Sequence, residues 1–151
     1  MEDTGVQGTD LDITTILSVA ALIGAFVVMK YLPKLLAGVP FEAPADLKAR
    51  LDRGEDLLVV DVRTAAEFTG PDGHVAGSLN LPLSELGERL KSLSGKLEPH
   101  RTAPVYLMCR TANRAAHAAR IFVKSGFTDV KVVDGGMVRW SRQGLPSSRY
   151  D

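Results

Sequence analysis

The sequence contains a single cysteine, and this scarcity excludes several kinds of site. With Cys109 alone among 151 residues, neither an intramolecular disulfide nor a zinc site built from several cysteines can form. The three histidines are not spaced as paired ligands, so we expect neither a metal site nor a bound cofactor. Internal repeats and low-complexity tracts are also lacking.

Positive charge is absent from the first 29 residues, which hold four acidic residues and no Lys or Arg. All 18 basic residues lie at Lys30 or later, against 14 acidic ones, so this part carries a net charge of about +4. The excess is too small and too dispersed to indicate a nucleic-acid partner. Hydrophobic and charged contents of 45% and 24% are typical of a globular protein.

A stretch without any charge, Ile13–Met29, predicts a transmembrane helix. Its 17 residues fall short of a hydrocarbon core of about 30 Å, and continuation to Leu36 makes up the difference. Asp12 or Thr14 is the expected cap. A buried core helix is the alternative, whereas the acidic start argues against a signal peptide. We therefore expect an acidic tail at 1–12, a transmembrane helix at 13–36, a linker at 37–44 and a folded domain at 45–150.

The acidic residues before the predicted transmembrane helix and the basic residues from Lys30 onward predict an orientation in the membrane. Positively charged flanks stay in the cytoplasm, so we expect a single-pass protein of the inner cell membrane with its N-terminus outside. Membrane lipid is then a partner through residues 13–36. The cytoplasm is also reducing, which suits a free thiol.

Buried strands and amphipathic helices alternate along residues 45–150, which predicts an α/β domain with a mostly parallel sheet covered by helices on both faces. The functional crevice of such a sheet lies beyond the carboxyl ends of its strands. The expected strands are Leu57–Asp61, Ser78–Leu81, Val105–Met108 and Val130–Val133; the expected helices are Ala45–Arg53, Arg63–Phe68 (one turn), Glu85–Leu93 with Ser84 as its cap, Asn113–Ser125 and one containing Trp140.

Cys109 follows a predicted strand and opens a loop that leads into a predicted helix. Asp61 and Asp134 occupy the ends of other strands, so all three residues are expected at one edge of the sheet. Backbone N–H groups of the loop and the helix dipole favour a thiolate there. The alternative interpretation is a structural, buried thiol.

Seven short segments between roughly Leu47 and Pro146 form a recognisable pattern: Val60–Arg63 with Glu67-Phe68, Gly73–Pro82, Cys109–Arg114, Gly126-Phe127, Val133–Gly136, Trp140 and Gly144–Pro146. Together they resemble a rhodanese domain. The resemblance implies a five-stranded parallel α/β fold and a catalytic Cys109 that carries a persulfide. It also implies a small sulfur-anion donor such as thiosulfate, a thiol or cyanide acceptor, and a possible protein sulfur donor or acceptor.

The resemblance assigns the loop after Cys109 to substrate binding: Arg110, Thr111, Ala112, Asn113 and Arg114. The two arginines are expected to attract the anionic donor and to neutralise the departing sulfite. Alternatively, Arg110 points to solvent and Arg114 pairs with an acid at a helix start.

Residues around the loop are expected to support it. Asp61 and Arg63 are predicted to tie the end of the first strand to the loop, and an Arg63–Glu67 ion pair is plausible at helical spacing. His74 is placed in a structural turn rather than as a general base, and Trp140 in the core.

Two departures from the family pattern concern the site. Ala112 replaces a glycine that is frequent there, and a positive φ at this position would cost about 1 kcal/mol and could tilt an N–H group away from the sulfur. The turn Thr69–Asp72 is about two residues longer than the common pattern, which alters the rim of the pocket.

Three functions compete. The leading one is a membrane-anchored sulfurtransferase that acts through a Cys109 persulfide. A phosphatase or arsenate reductase is a second, but resembling phosphatases have five residues between cysteine and arginine, whereas four separate Cys109 from Arg114. A non-catalytic interaction or regulatory module at the membrane is the third.

Overall fold

A computed structural model describes residues 12–150, and the chain divides into two units between Leu32 and Pro33. The first helix, α1, runs from Ile13 to Ala37. Asp12 caps it, since its carboxylate accepts a hydrogen bond from the Thr14 hydroxyl at 2.7 Å and one from the Thr14 backbone N–H. The rest of the predicted acidic tail lies outside the described residues.

The predicted helix is present, but its predicted role as a membrane span is not supported. Within residues 12–150, no helix is both long enough and apolar enough to cross a bilayer. The alternative of a buried core helix is not supported either, because the large apolar side chains of α1 are 43% to 80% exposed.

Five parallel strands form the sheet of the second unit, in the order β1-β5-β4-β2-β3. The α/β class and the parallel sheet expected from the sequence are confirmed. The strands are β1 (Phe41–Glu42), β2 (Leu58–Asp61), β3 (Leu79–Asn80), β4 (Val105–Met108) and β5 (Val130–Val133).

Helices cover both faces of this sheet, so the central strand β4 is fully buried. Alternate residues of β4 point to opposite faces. Leu107 belongs to the core beneath the helices of one face, and Tyr106 to the core that contains Trp140. The helices are α2 (Pro44–Asp52), α3 (Ala65–Phe68), α4 (Leu86–Ser92), α5 (Ser94–Leu97), a 3-10 turn (Glu98–His100), α6 (Asn113–Lys124) and α7 (Gly136–Arg142).

Three details differ from the sequence-based expectations. The predicted linker contains the edge strand β1, which is too short to give a periodic pattern. Glu85, not Ser84, precedes α4, and no side chain caps that helix. The segment from Ser94 to His100 is helical, although no helix was expected there.

Candidate functional site

The loop after β4 places the Cys109 thiol in a buried position at the carboxyl end of the central strand. Cys109 is 1% exposed. Within the described chain, one hydrogen bond reaches its sulfur, from the backbone N–H of Ala112 at 3.1 Å. An N–H dipole directed at sulfur can stabilise negative charge that develops on it during a reaction.

Ala112 adopts a left-handed conformation to make this contact. Its φ is +96°, and among the described residues other than glycine it alone has a positive φ. A positive φ, which we considered from the sequence only as a condition, is therefore what this residue has. The N–H group of Ala112 is not tilted away from the sulfur, because it donates a hydrogen bond to it. Ala112 therefore makes this hydrogen bond from a strained backbone conformation.

Helix α7 holds the other side of the loop through its first turn. The N–H of Met137 donates to the carbonyl of Cys109 at 2.8 Å, and the N–H of Val138 donates to that of Arg110 at 3.0 Å. Gly136 makes this approach possible, because a Cβ there would lie 2.7 Å from the Arg110 carbonyl carbon and closer still to the Cys109 carbonyl oxygen. Gly136, the first residue of α7, thus allows the helix to approach the cysteine loop.

At the end of β2, Asp61 and Arg63 form a buried ion pair with three side-chain hydrogen bonds. Arg63 Nε donates to Asp61 Oδ1 at 3.0 Å and to Oδ2 at 2.9 Å, and Nη2 donates to Oδ2 at 2.7 Å. Arg63 Nη2 also donates to the carbonyl of Gly73 at 2.7 Å. Asn80 donates to the backbone carbonyls of both partners. The structure thus brings Asp61 and Arg63 together as a support, while their functional roles stay a prediction.

Arg114 faces Glu67 rather than open space. Its Nη1 and Nη2 atoms each donate to one carboxylate oxygen at 2.7 Å. Arg114 therefore pairs with an acid at a helix start, which was the alternative interpretation. This acid, Glu67, belongs to α3. The expected Arg63–Glu67 pair is wrong, because Asp61 and Gly73 engage Arg63 instead.

The Arg114–Glu67 pair shifts both titrations. Hydrogen bonds from Arg114 are the main cause that lowers the pKa of Glu67 to about 2, and Glu67 in turn raises the pKa of Arg114. Glu67 also completes a capping box with Thr64 at the start of α3. One carboxylate therefore links the cysteine loop to the segment after β2.

The remaining side chains of the loop point outward. Arg110, Thr111 and Asn113 are exposed. Arg110 lines a cavity of about 250 Å³ together with Arg63, Glu67 and residues of the turn Thr69–Asp72.

The buried His74 follows this turn. Its ring stacks on Phe68 at 3.6 Å between ring centroids, and its Nδ1 atom forms a hydrogen bond with the Phe68 carbonyl. His74 is thus in a structural turn, as expected.

Sequence reasoning did not assign three residues that build the site: Glu67, Asn80 and Gly136. Each lies in a segment that carried the resemblance, but nothing in its local pattern shows its tertiary partner.

Two further residues from the sequence analysis also have defined surroundings. Asp134, which was expected at a strand end together with Asp61 and Cys109, pairs with Arg139 at 2.6 Å. Trp140 is 1% exposed and lies in the core, as expected.

A family model for the rhodanese-like domain matches residues 43–143, which include strands β2 to β5, the cysteine loop and helix α7. The chain belongs to the rhodanese-like family. The family membership expected from the sequence is therefore confirmed, and its five-stranded parallel sheet with it.

Individual relatives agree with the family but differ in length. The chain is 34% identical over 109 residues to the rice "Adenylyltransferase and sulfurtransferase MOCS3", covering 68% of this chain and 24% of that protein. It is 35% identical over 100 residues to the Escherichia coli K12 protein YibN, covering 66% of each. Among solved structures, it is similar to a thiosulfate sulfurtransferase from Pseudomonas aeruginosa, with a TM-score of 0.60, 27% identity and coverage of 71% of this chain and 19% of that one.

Replacing Ala112 by glycine should stabilise this rhodanese-like domain. Glycine adopts φ +96° without the Cβ clash, so we expect the free energy of unfolding to rise by about 0.5–1 kcal/mol. Urea unfolding followed by the fluorescence of Trp140, the chain's sole tryptophan, measures the change. Ala116→Gly is the matched control: Ala116 is as buried but lies in α6, where glycine should cost about 1 kcal/mol. Equal losses in both variants would contradict the strain at Ala112.

Glu67→Gln should remove a pH-dependent part of the stability. Because the folded pKa of Glu67 is lowered to about 2, its contribution is complete above the ordinary value near 4.5 and is lost as the pH falls towards 2. The group is partly exposed, so we expect the variant to lose less than about 1 kcal/mol at pH 7 and nothing near pH 2. Unfolding midpoints across this range measure it. Glu88→Gln is the control, since no ion pair of Glu88 occurs in the described residues; a pH-independent loss in Glu67→Gln would argue against the charge effect.

Proposed function

We propose that the protein is a sulfurtransferase that carries sulfane sulfur as a persulfide on Cys109. The observation that supports this most is the buried thiol at the end of β4, which accepts a hydrogen bond from the Ala112 N–H at 3.1 Å. A persulfide anion formed on this sulfur needs the same stabilisation by a fixed N–H dipole.

The proposed reaction has two half-reactions. The Cys109 thiolate attacks the outer sulfur of thiosulfate, the S–S bond breaks, and sulfite leaves with the bonding electrons. A thiol or cyanide then attacks the outer sulfur of the persulfide, takes it as a new persulfide or as thiocyanate, and releases the Cys109 thiolate. A protein persulfide or protein thiol can take the place of either small molecule, because the exposed loop residues Arg110 and Thr111 are open to a partner.

The names of two relatives support this reaction class: the rice protein is called a sulfurtransferase, and the Pseudomonas structure a thiosulfate sulfurtransferase.

The geometry also favours one of the two loop arginines as the residue that attracts the donor. Arg114 is engaged by Glu67, whereas Arg110 is exposed. We therefore assign attraction of the donor mainly to Arg110.

Turnover of thiosulfate with cyanide tests the proposal. The full chain should form thiocyanate, and Cys109→Ser should form none, because a serine hydroxyl cannot hold a sulfane sulfur. The unfolding midpoint of Cys109→Ser serves as the control for its fold. Absence of thiocyanate with the wild type would favour the interaction module, and hydrolysis of an aryl phosphate that is lost in Cys109→Ser would favour the phosphatase.

We propose separately that α1 attaches the protein to the cytoplasmic face of a cell membrane. Its apolar side chains are exposed, with Leu35 at 80% and Leu22 at 71%, and such a surface is unfavourable in water. The free thiol suits a reducing compartment. Since no spanning helix is found among the described residues, the proposal is limited to attachment.

Cell fractionation tests the attachment. The full chain should sediment with membranes, and a variant with lysine at Leu22 and Leu35 should move to the soluble fraction. Retention of both in the soluble fraction would contradict it.

A further inference from the structure

The cavity beside the cysteine loop is lined by four charged side chains, and two of them are already paired. Arg63 is bound by Asp61 and by the carbonyl of Gly73. Glu67 is bound by both Nη atoms of Arg114. Neither pair is free to hold a substrate without breaking hydrogen bonds of 2.7 Å.

The other two charges, Asp72 and Arg110, are exposed and of opposite sign. Within residues 12–150, neither side chain forms an ion pair or a hydrogen bond, and no ion pair joins the two. The cavity thus offers one cation and one anion to a ligand. A small molecule that carries both charges complements this arrangement better than a dianion does.

The backbone of the turn that carries Asp72 is held on both sides. The N–H of Gly73 donates to the carbonyl of Gly70 at 3.0 Å, and the Gly73 carbonyl accepts from Arg63. The Pro71 carbonyl accepts from Arg149 Nη2 at 2.7 Å. Asp72 thus lies in a held turn that lines the cavity.

We propose that the preferred sulfur donor is the persulfide of a small α-amino acid, with its carboxylate at Arg110 and its ammonium group at Asp72. The cavity of about 250 Å³ has room for a ligand of that size. The inference rests on the proposed function, because it assigns the donor for a Cys109 persulfide.

The transfer balances without another reactant. The Cys109 thiolate attacks the outer sulfur of R–S–SH, a new S–S bond forms, and the original S–S bond breaks. The amino-acid thiolate R–S⁻ leaves with the electron pair, and Cys109 keeps the S–SH group. Thiosulfate reacts by the same route but meets the Asp72 carboxylate as a repelling charge.

Loading of Cys109 by different donors tests the inference. The full chain is treated briefly with cysteine persulfide, with the persulfide of 3-mercaptopropionate, which lacks the ammonium group, or with thiosulfate. Excess donor is then removed, and intact mass gives the rate at which one sulfur is added. Cysteine persulfide should load faster than its deaminated analogue.

Asp72→Asn should lower the loading rate with cysteine persulfide about fivefold, as expected for one exposed charge contact. It should not lower the rate with either anionic donor, 3-mercaptopropionate persulfide or thiosulfate. Asp56→Asn is the control, since Asp56 is also an exposed acid but does not line the cavity. Arg110→Gln should slow all three donors.

Equal rates with the two persulfides, or an equal effect of Asp72→Asn on all donors, would overturn the inference while leaving the proposed function intact. Failure of every donor to load Cys109 in the wild type would instead reject the proposed function itself, and the inference with it.

Discussion

The buried ion pair between Asp61 and Arg63 is the interaction on which the rest of the site depends. Burial of two charges is costly unless their remaining hydrogen-bonding groups are satisfied. Here the Asp61 carboxylate accepts from the backbone and side chain of Arg63, and the guanidinium also holds the Gly73 carbonyl. The pair therefore fixes three things at once: the end of β2, the path towards α3, and the turn that forms the cavity rim.

From that support, the cysteine loop is held at three points. Between Asp61 and Arg63, the N–H of Val62 donates to the Met108 carbonyl, immediately before Cys109. Helix α7 donates two N–H groups to the loop carbonyls, and Glu67 holds its last residue, Arg114. The loop is thus fixed by backbone and ion-pair contacts that leave the sulfur itself to the Ala112 N–H.

This division of roles changes how the two arginines of the loop are interpreted. In the sequence they stand symmetrically on either side of three residues, and both were assigned to the donor. In the structure Arg114 forms part of the frame, and Arg110 remains at the cavity with Asp72. An anion site built from two free guanidinium groups is therefore replaced by a site of mixed charge.

Local patterns allowed the sequence to predict the buried strand Val105–Met108 and helix α6, because the periodicity of buried positions is visible in the chain itself. The missing glycine at Ala112 raised the question of a positive φ but did not predict it. The resemblance supplied the fifth strand, but not its position. Two-residue β1 is defined only by its pairing with β5.

Local sequence patterns could not predict which residues contact each other across the fold. The Glu67–Arg114 contact joins residues 47 positions apart, and local helical spacing favoured Arg63 instead. The role of Gly136 likewise depends on how closely α7 approaches a loop from another part of the chain. For α1, hydropathy predicted the helix, whereas the predicted membrane span is not supported within residues 12–150.

The central claim is that Cys109 holds a sulfane sulfur. Intact mass of the full chain after treatment with thiosulfate and removal of small molecules tests it most directly. The account predicts a gain of one sulfur atom, located on the peptide that contains Cys109 and removed by cyanide. An unchanged mass, or a sulfur that remains after addition of cyanide, would contradict it.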